Sequence, residues 1–101
     1  MSGKYRLSFA ESAVSDLEAI SEYYKEQGAP EAGRRIVEAL IEQTEKLSIY
    51  PDIGRVVPEY DTDHLREVIY PPFRVVYRRD KSRVRIVRIW RSERLLNLPE
   101  E

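Results

Sequence analysis

Pro71–Leu96 reads PPFRVVYRRDKSRVRIVRIWRSERLL. Two runs rich in Val, Ile, Tyr and Trp, Phe73–Arg79 and Arg83–Trp90, flank Asp80-Lys81-Ser82. β-Branched and aromatic residues favour strands, and a short polar link between two such runs makes an antiparallel hairpin. In the first run Phe73, Val75 and Tyr77 share one face, and Arg74, Val76 and Arg78 share the other. The second run breaks its alternation: Val84, Ile86 and Trp90 point one way, Val87 and Ile89 the other. A strand that is apolar on both faces belongs inside its sheet. The segment also carries eight arginines, at 74, 78, 79, 83, 85, 88, 91 and 94. The guanidinium fork matches carboxylates and phosphates, so this density points to an anionic partner.

Upstream, Tyr5–Phe9 reads as a short first strand. Ser8 and Glu11 have the spacing of a capping box, which starts a helix over about Ala10–Gln27. Ala13, Leu17, Ile20 and Tyr24 recur along it at helical spacing, and Gly28 ends it. Pro30 opens a second helix with Ile36, Leu40, Thr44 and Leu47 as its stripe, and Pro51 stops it. The short link between the helices implies an antiparallel helical hairpin. Tyr50–His64 is loop, broken by Pro51, Gly54 and Pro58, and Leu65–Tyr70 is a strand that ends at Pro71-Pro72. The fold expected is one α+β domain over 1–101. An N-terminal strand and the helical hairpin precede three antiparallel strands, and the helices cover one face of a twisted antiparallel sheet. Arg74 and Arg78 project from the other face, which the chain does not fully cover. On that reading Arg74→Ala leaves the melting temperature nearly unchanged; the other reading, a sheet-face arginine paired to Glu67 or Glu59, has the variant melt many degrees lower.

Composition narrows the function classes. The 101 residues suffice for one modest core. Without cysteine there is no disulfide and no thiolate nucleophile. No apolar run reaches membrane length and no leader is evident, so the expected setting is the cytoplasm. The net charge of -1 conceals a division. Residues 66–94 set ten Lys/Arg against three carboxylates, whereas residues 1–65 set seven against thirteen. No metal-ligand cluster, cofactor motif or Gly-rich phosphate loop is present. The single histidine, His64, lies beside Asp61 and Asp63 as a surface residue, and no serine has the partners of a triad. Glu59 is either a general base near Arg74 or a loop carboxylate.

The ordered set YRLSFAESAVSDLEAISEYY, YPDIGRVVPE, LREVIYPPFRVVYR and VRIVRIWRSERLL resembles the RelE/ParE superfamily of bacterial toxins. Pro-x-x-Gly-Arg-x-x-Pro-Glu, then Leu-Arg-Glu and Phe-Arg-Val-Val-Tyr-Arg, is its most specific part. The resemblance implies a toxin that a cognate antitoxin neutralises, with a toxin–antitoxin heterotetramer as one assembly. It also implies DNA gyrase or ribosome-bound mRNA as the target. Arg74 falls where the ribonuclease members carry a catalytic arginine, Glu59 corresponds to a glutamate of a related branch, and Arg91 or Arg94 stands for a second cation. The nuclease lysines are replaced by Leu65 and Glu67, its late tyrosine by Leu98, and a terminal histidine by Ser92 or its neighbours. That incompleteness favours the gyrase-directed branch. Arg74, Arg78, Arg88, Trp90, Arg91 and Arg94 are the residues expected to meet target or antitoxin. A non-toxic relic that only binds its antitoxin is the third reading.

Overall fold

The computed structural model describes residues 5–60 and 62–91. The elements are β1 (Arg6–Phe9), α1 (Glu11–Glu26), α2 (Pro30–Ile49), β2 (Arg55–Val56), β3 (Leu65–Tyr70), β4 (Phe73–Arg79) and β5 (Arg83–Arg91). They form a five-stranded sheet in the order β1-β5-β4-β3-β2. Each pair along β2-β3-β4-β5 is antiparallel, but β1 joins β5 in parallel, from Arg6 opposite Arg83 to Phe9 opposite Ile86. The expected antiparallel sheet is therefore a mixed one, and the loop after α2 contributes an additional edge strand.

Both helices lie on one face. Ala13, Ile20, Leu40 and Leu47 meet Phe73, Val75, Tyr77, Val84, Ile86 and Ile89 there in the main core. Fully burying a side chain of this size contributes about 1.5–3 kcal/mol, so this layer dominates the stability. The chain turns at Gly28 (φ 77°), a left-handed conformation that a glycine adopts without steric cost. Gly33 lets α2 approach α1, because a Cβ there would sit 2.7 Å from the Cβ of Tyr24. The anticipated capping box is absent. Ser8 belongs to β1, and Ala10, the N-cap residue of α1, supplies no side-chain cap.

The irregular alternation in β5 is a β-bulge. Val76 pairs with Arg88 and Tyr77 with Ile86, which leaves Val87 as the extra residue. The bulge reverses the face pattern beyond it. Ile89 therefore joins Val84 and Ile86 against the helices, and Trp90 turns to the opposite face as the partner of Arg74, the reverse of the simple alternation.

That opposite face is less open than the sequence suggests. Val57, from the loop after β2, packs with Leu65, Val76 and Val87 into a second small core, with Trp90 at its margin. The loop covers the middle of the face and leaves its β1–β5 end exposed.

Candidate functional site

Two of the expected site residues, Arg74 and Glu59, meet in a chain of charges whose inner members are buried and whose ends are exposed. Arg74 stands on β4, Glu67 on the neighbouring β3, Arg55 on β2, and Glu59 in the loop that lies over them. Glu67 is 1% exposed and Arg74 is 5% exposed. Arg74 Nη2 donates to both oxygens of Glu59 at 3.0 Å. Its Nε lies 3.1 Å from Glu67 Oε1. Arg55 Nε donates to Glu67 Oε2 at 2.7 Å. Cations and anions thus alternate along Arg55, Glu67, Arg74 and Glu59. A buried charge is tolerated when opposite charges and hydrogen bonds replace water, and here each inner member has two opposite neighbours.

The projection of Arg74 into solvent is therefore corrected. Its place on the face opposite Phe73, Val75 and Tyr77 is as expected, but the loop closes over it. A guanidinium that is 5% exposed and faces two carboxylates is poorly placed to reach a substrate phosphate.

The rest of the characteristic motif has a structural role nearby. Tyr77 Oη donates to the Pro51 carbonyl at 2.6 Å and accepts the Gly54 N–H at 3.1 Å. Burial pushes the Tyr77 hydroxyl above its ordinary pKa, and the Gly54 N–H opposes that shift. A Cβ at Gly54 would come within 2.6 Å of the Glu67 carbonyl oxygen and 2.7 Å of Tyr77 Oη, so only glycine fits this approach. Pro51, Gly54, Arg55 and Glu59 together clasp the loop to Glu67, Arg74 and Tyr77 of the sheet. The Pro-x-x-Gly-Arg-x-x-Pro-Glu stretch, Pro51–Glu59, is in large part this clasp.

Arg88, Trp90 and Arg91 lie elsewhere, in a groove of about 590 Å³ between α1 and the end of β5 that Tyr23, Tyr24 and Phe73 also line. Arg88 donates from Nε and Nη2 to the two oxygens of Asp16, both at 2.8 Å, and stacks 4.3 Å over the Trp90 ring. Asp16 also accepts the Ile89 N–H at 2.8 Å, and Ser12 Oγ donates to the Val87 carbonyl at 2.7 Å. Strand β1 ends opposite Ile86, so beyond it these two α1 side chains replace the missing strand. Sequence reasoning missed Asp16 and Ser12. Their i, i+4 spacing was the available signal.

Arg78 is separate again. It faces Arg85 across β4 and β5, and Arg85 Nη1 lies 3.4 Å from Ser8 Oγ. His64 lines the same open cradle, exposed as expected. Arg94, Ser92 and Leu98 lie outside the described residues. Among the described residues no His, Asp and Glu side chains gather closely enough to hold a metal ion, and no helix is long and apolar enough to cross a membrane.

The sequence matches the family model for the ParE toxin of the type II toxin–antitoxin system parDE over residues 7–96. No curated protein matches it. Among solved structures, the chromosomal ParDE toxin–antitoxin system from P. aeruginosa is similar at 26% identity and a TM-score of 0.76, over 91% of this chain and 100% of that one. The RelBE2 toxin–antitoxin complex from Mycobacterium tuberculosis shares the fold at 22% identity and a TM-score of 0.67, over 88% of this chain and 99% of that one.

Proposed function

The chain belongs to the ParE toxin family of type II toxin–antitoxin systems, and from that premise we propose that it stops growth by acting on DNA gyrase and is neutralised by a cognate antitoxin. One observation carries the choice of target. Arg74 and Glu59, the two residues that match nuclease positions, are paired with each other, and Arg74 is buried against Glu67, which Arg55 also pairs. Cleaving RNA at the 2′-hydroxyl needs a base, an acid and a cation able to reach the developing charge. Here the cation is enclosed by carboxylates, and the preceding strand supplies Leu65 and Glu67 where the nuclease uses lysines.

The antitoxin is proposed to dock along the groove between α1 and β5. Tyr23, Trp90 and Arg91 there combine aromatic area with an exposed cation, the composition of an interface centre. An amphipathic, acidic segment fits it, and a heterotetramer is the assembly to test by light scattering. Trp90 is the one tryptophan of the chain, so its emission reports occupancy of the groove directly.

The deciding experiment runs a gyrase supercoiling assay beside mRNA cleavage on programmed ribosomes. Inhibited supercoiling with intact mRNA is expected. Cleavage at codon positions with unaffected gyrase establishes the nuclease reading instead. Normal growth on expression without antitoxin, with neither activity, identifies a relic.

A further inference from the structure

The exposed β1–β5 end of the sheet has a use that the gyrase reading does not supply. Three adjacent strands bring their cations to one face here. Arg6 on β1 pairs with Arg83 on β5, and Arg85 on β5 pairs with Arg78 on β4. Neighbouring strands are about 4.8 Å apart, so these guanidinium stems spring from a strip roughly 10 Å wide. Lys81 extends it at the hairpin tip, and Ser8 and His64 line its floor and margin. Arg6, Arg83, Arg85 and Lys81 are exposed and Arg78 is half-buried. Among the described residues the one carboxylate lining the cradle is Asp80. Its acceptor capacity goes largely to the Ser82 and Arg83 backbone N–H groups, at 3.0 and 2.8 Å, and to the Arg83 guanidinium at 3.3 Å. Arg6, Arg78 and Arg85 have no ion-pair partner among the described residues.

Like charges on facing strands repel one another, which costs stability. Their retention at one end of the sheet, while Arg55, Arg74, Arg79 and Arg88 are all neutralised, fits a surface whose carboxylates or phosphates arrive with a partner.

We propose that this cradle binds the phosphate backbone of duplex DNA. Two features select that partner. An acidic protein segment would seek large apolar side chains beside the cations, and no aliphatic residue, Phe, Tyr or Trp lines the cradle; the aromatic groove lies at the far end of β5. Single-stranded RNA is gripped by stacking its bases on several aromatic rings, and the cradle offers one imidazole, His64 at its margin, and no Phe, Tyr or Trp. Arginines, a lysine and a serine hydroxyl, without a row of aromatic rings, are the groups that hold a duplex by its phosphates and carry no sequence preference. The inference goes beyond the gyrase reading and does not depend on it, because the binding is to DNA alone.

The test measures fluorescence anisotropy of a short labelled DNA duplex with the purified full chain over a range of salt concentrations. With three or four phosphates neutralised, the plot of log affinity against log salt has a slope of about −3. Arg78→Gln/Arg85→Gln removes two of these contacts, so the slope drops by about 2 and affinity at about 50 mM salt falls roughly tenfold or more. Arg35→Gln, on the exposed surface of α2, leaves both unchanged. Three results overturn the proposal: no duplex binding at about 50 mM salt, binding unaltered in the double variant, or tighter binding of single-stranded RNA or polyglutamate than of duplex. Thermal melts of the double variant check that it is folded, and the supercoiling assay judges the gyrase reading separately.

Discussion

Replacing Arg74 with alanine is expected to unfold this protein more readily rather than merely disarm it. The substitution leaves Glu67, whose side chain is fully buried, with Arg55 as its remaining counter-charge, and the Arg55 side chain is 63% exposed. Removing one member of a buried pair costs about 3–5 kcal/mol, because the other charge stays buried and undercompensated. The contact to Glu59, whose side chain is 21% exposed, is screened by solvent and adds less. A domain of this size has roughly 5–15 kcal/mol of stability in total. One kcal/mol shifts its melting temperature by about 4–8 °C, so a loss of at least about 12 °C is expected. Circular dichroism melts of Arg74→Ala beside the parent protein measure this. A second comparison isolates the charge. Arg74→Met/Glu67→Met removes both inner members and should lose less stability than the two single variants summed, by about 0.5–3 kcal/mol of coupling. A single variant melting within about 2 °C of the parent would refute the reasoning. So would strict additivity in the double variant. Either result would return Arg74 to the exposed role that its strand position first implied.

Other expectations follow from the same contacts. Because burial holds the Tyr77 hydroxyl neutral above its ordinary pKa, the folded state keeps a proton that the unfolded chain releases. Its contribution is complete below about pH 10 and is lost as pH rises toward the raised folded value. Denaturant midpoints measured on either side of pH 10 should therefore fall less steeply in Tyr77→Phe, which at neutral pH also loses about 1–3 kcal/mol by stranding the Gly54 N–H and the Pro51 carbonyl. Gly54→Ala forces a Cβ against the Glu67 carbonyl and Tyr77 Oη, so either the clasp or the sheet edge must shift. Urea unfolding should show a loss of more than about 1 kcal/mol, and a neutral outcome would mean that the loop is not held as described. Asp16→Ala frees the Arg88 fork and strands the Ile89 N–H, at a cost of about 1–3 kcal/mol. Hydrogen exchange should become faster at Ile89 in that variant, while β3 amides keep their protection.

Much of the architecture was legible in local sequence. The hairpin of β4 and β5 follows from strand propensity on both sides of a short polar turn, and the helical pair from apolar residues at helical spacing around Gly28 and Pro30. These signals act over a few residues, and tertiary packing had only to agree with them. Three features required the whole fold. The parallel placement of β1 beside β5 joins segments more than seventy residues apart, and neither carries a local mark of direction or register. The bulge at Val87 exchanges the faces of Ile89 and Trp90, and the sequence records it only as a lapse in alternation. The burial of Arg74 depends on a loop that carries Glu59 over the sheet and a neighbouring strand that presents Glu67. Alternation tells which face of a strand a side chain takes, but not what covers that face. A guanidinium in water and one enclosed by two carboxylates occupy the same place in the pattern, and only the arrival of those carboxylates from distant segments separates them.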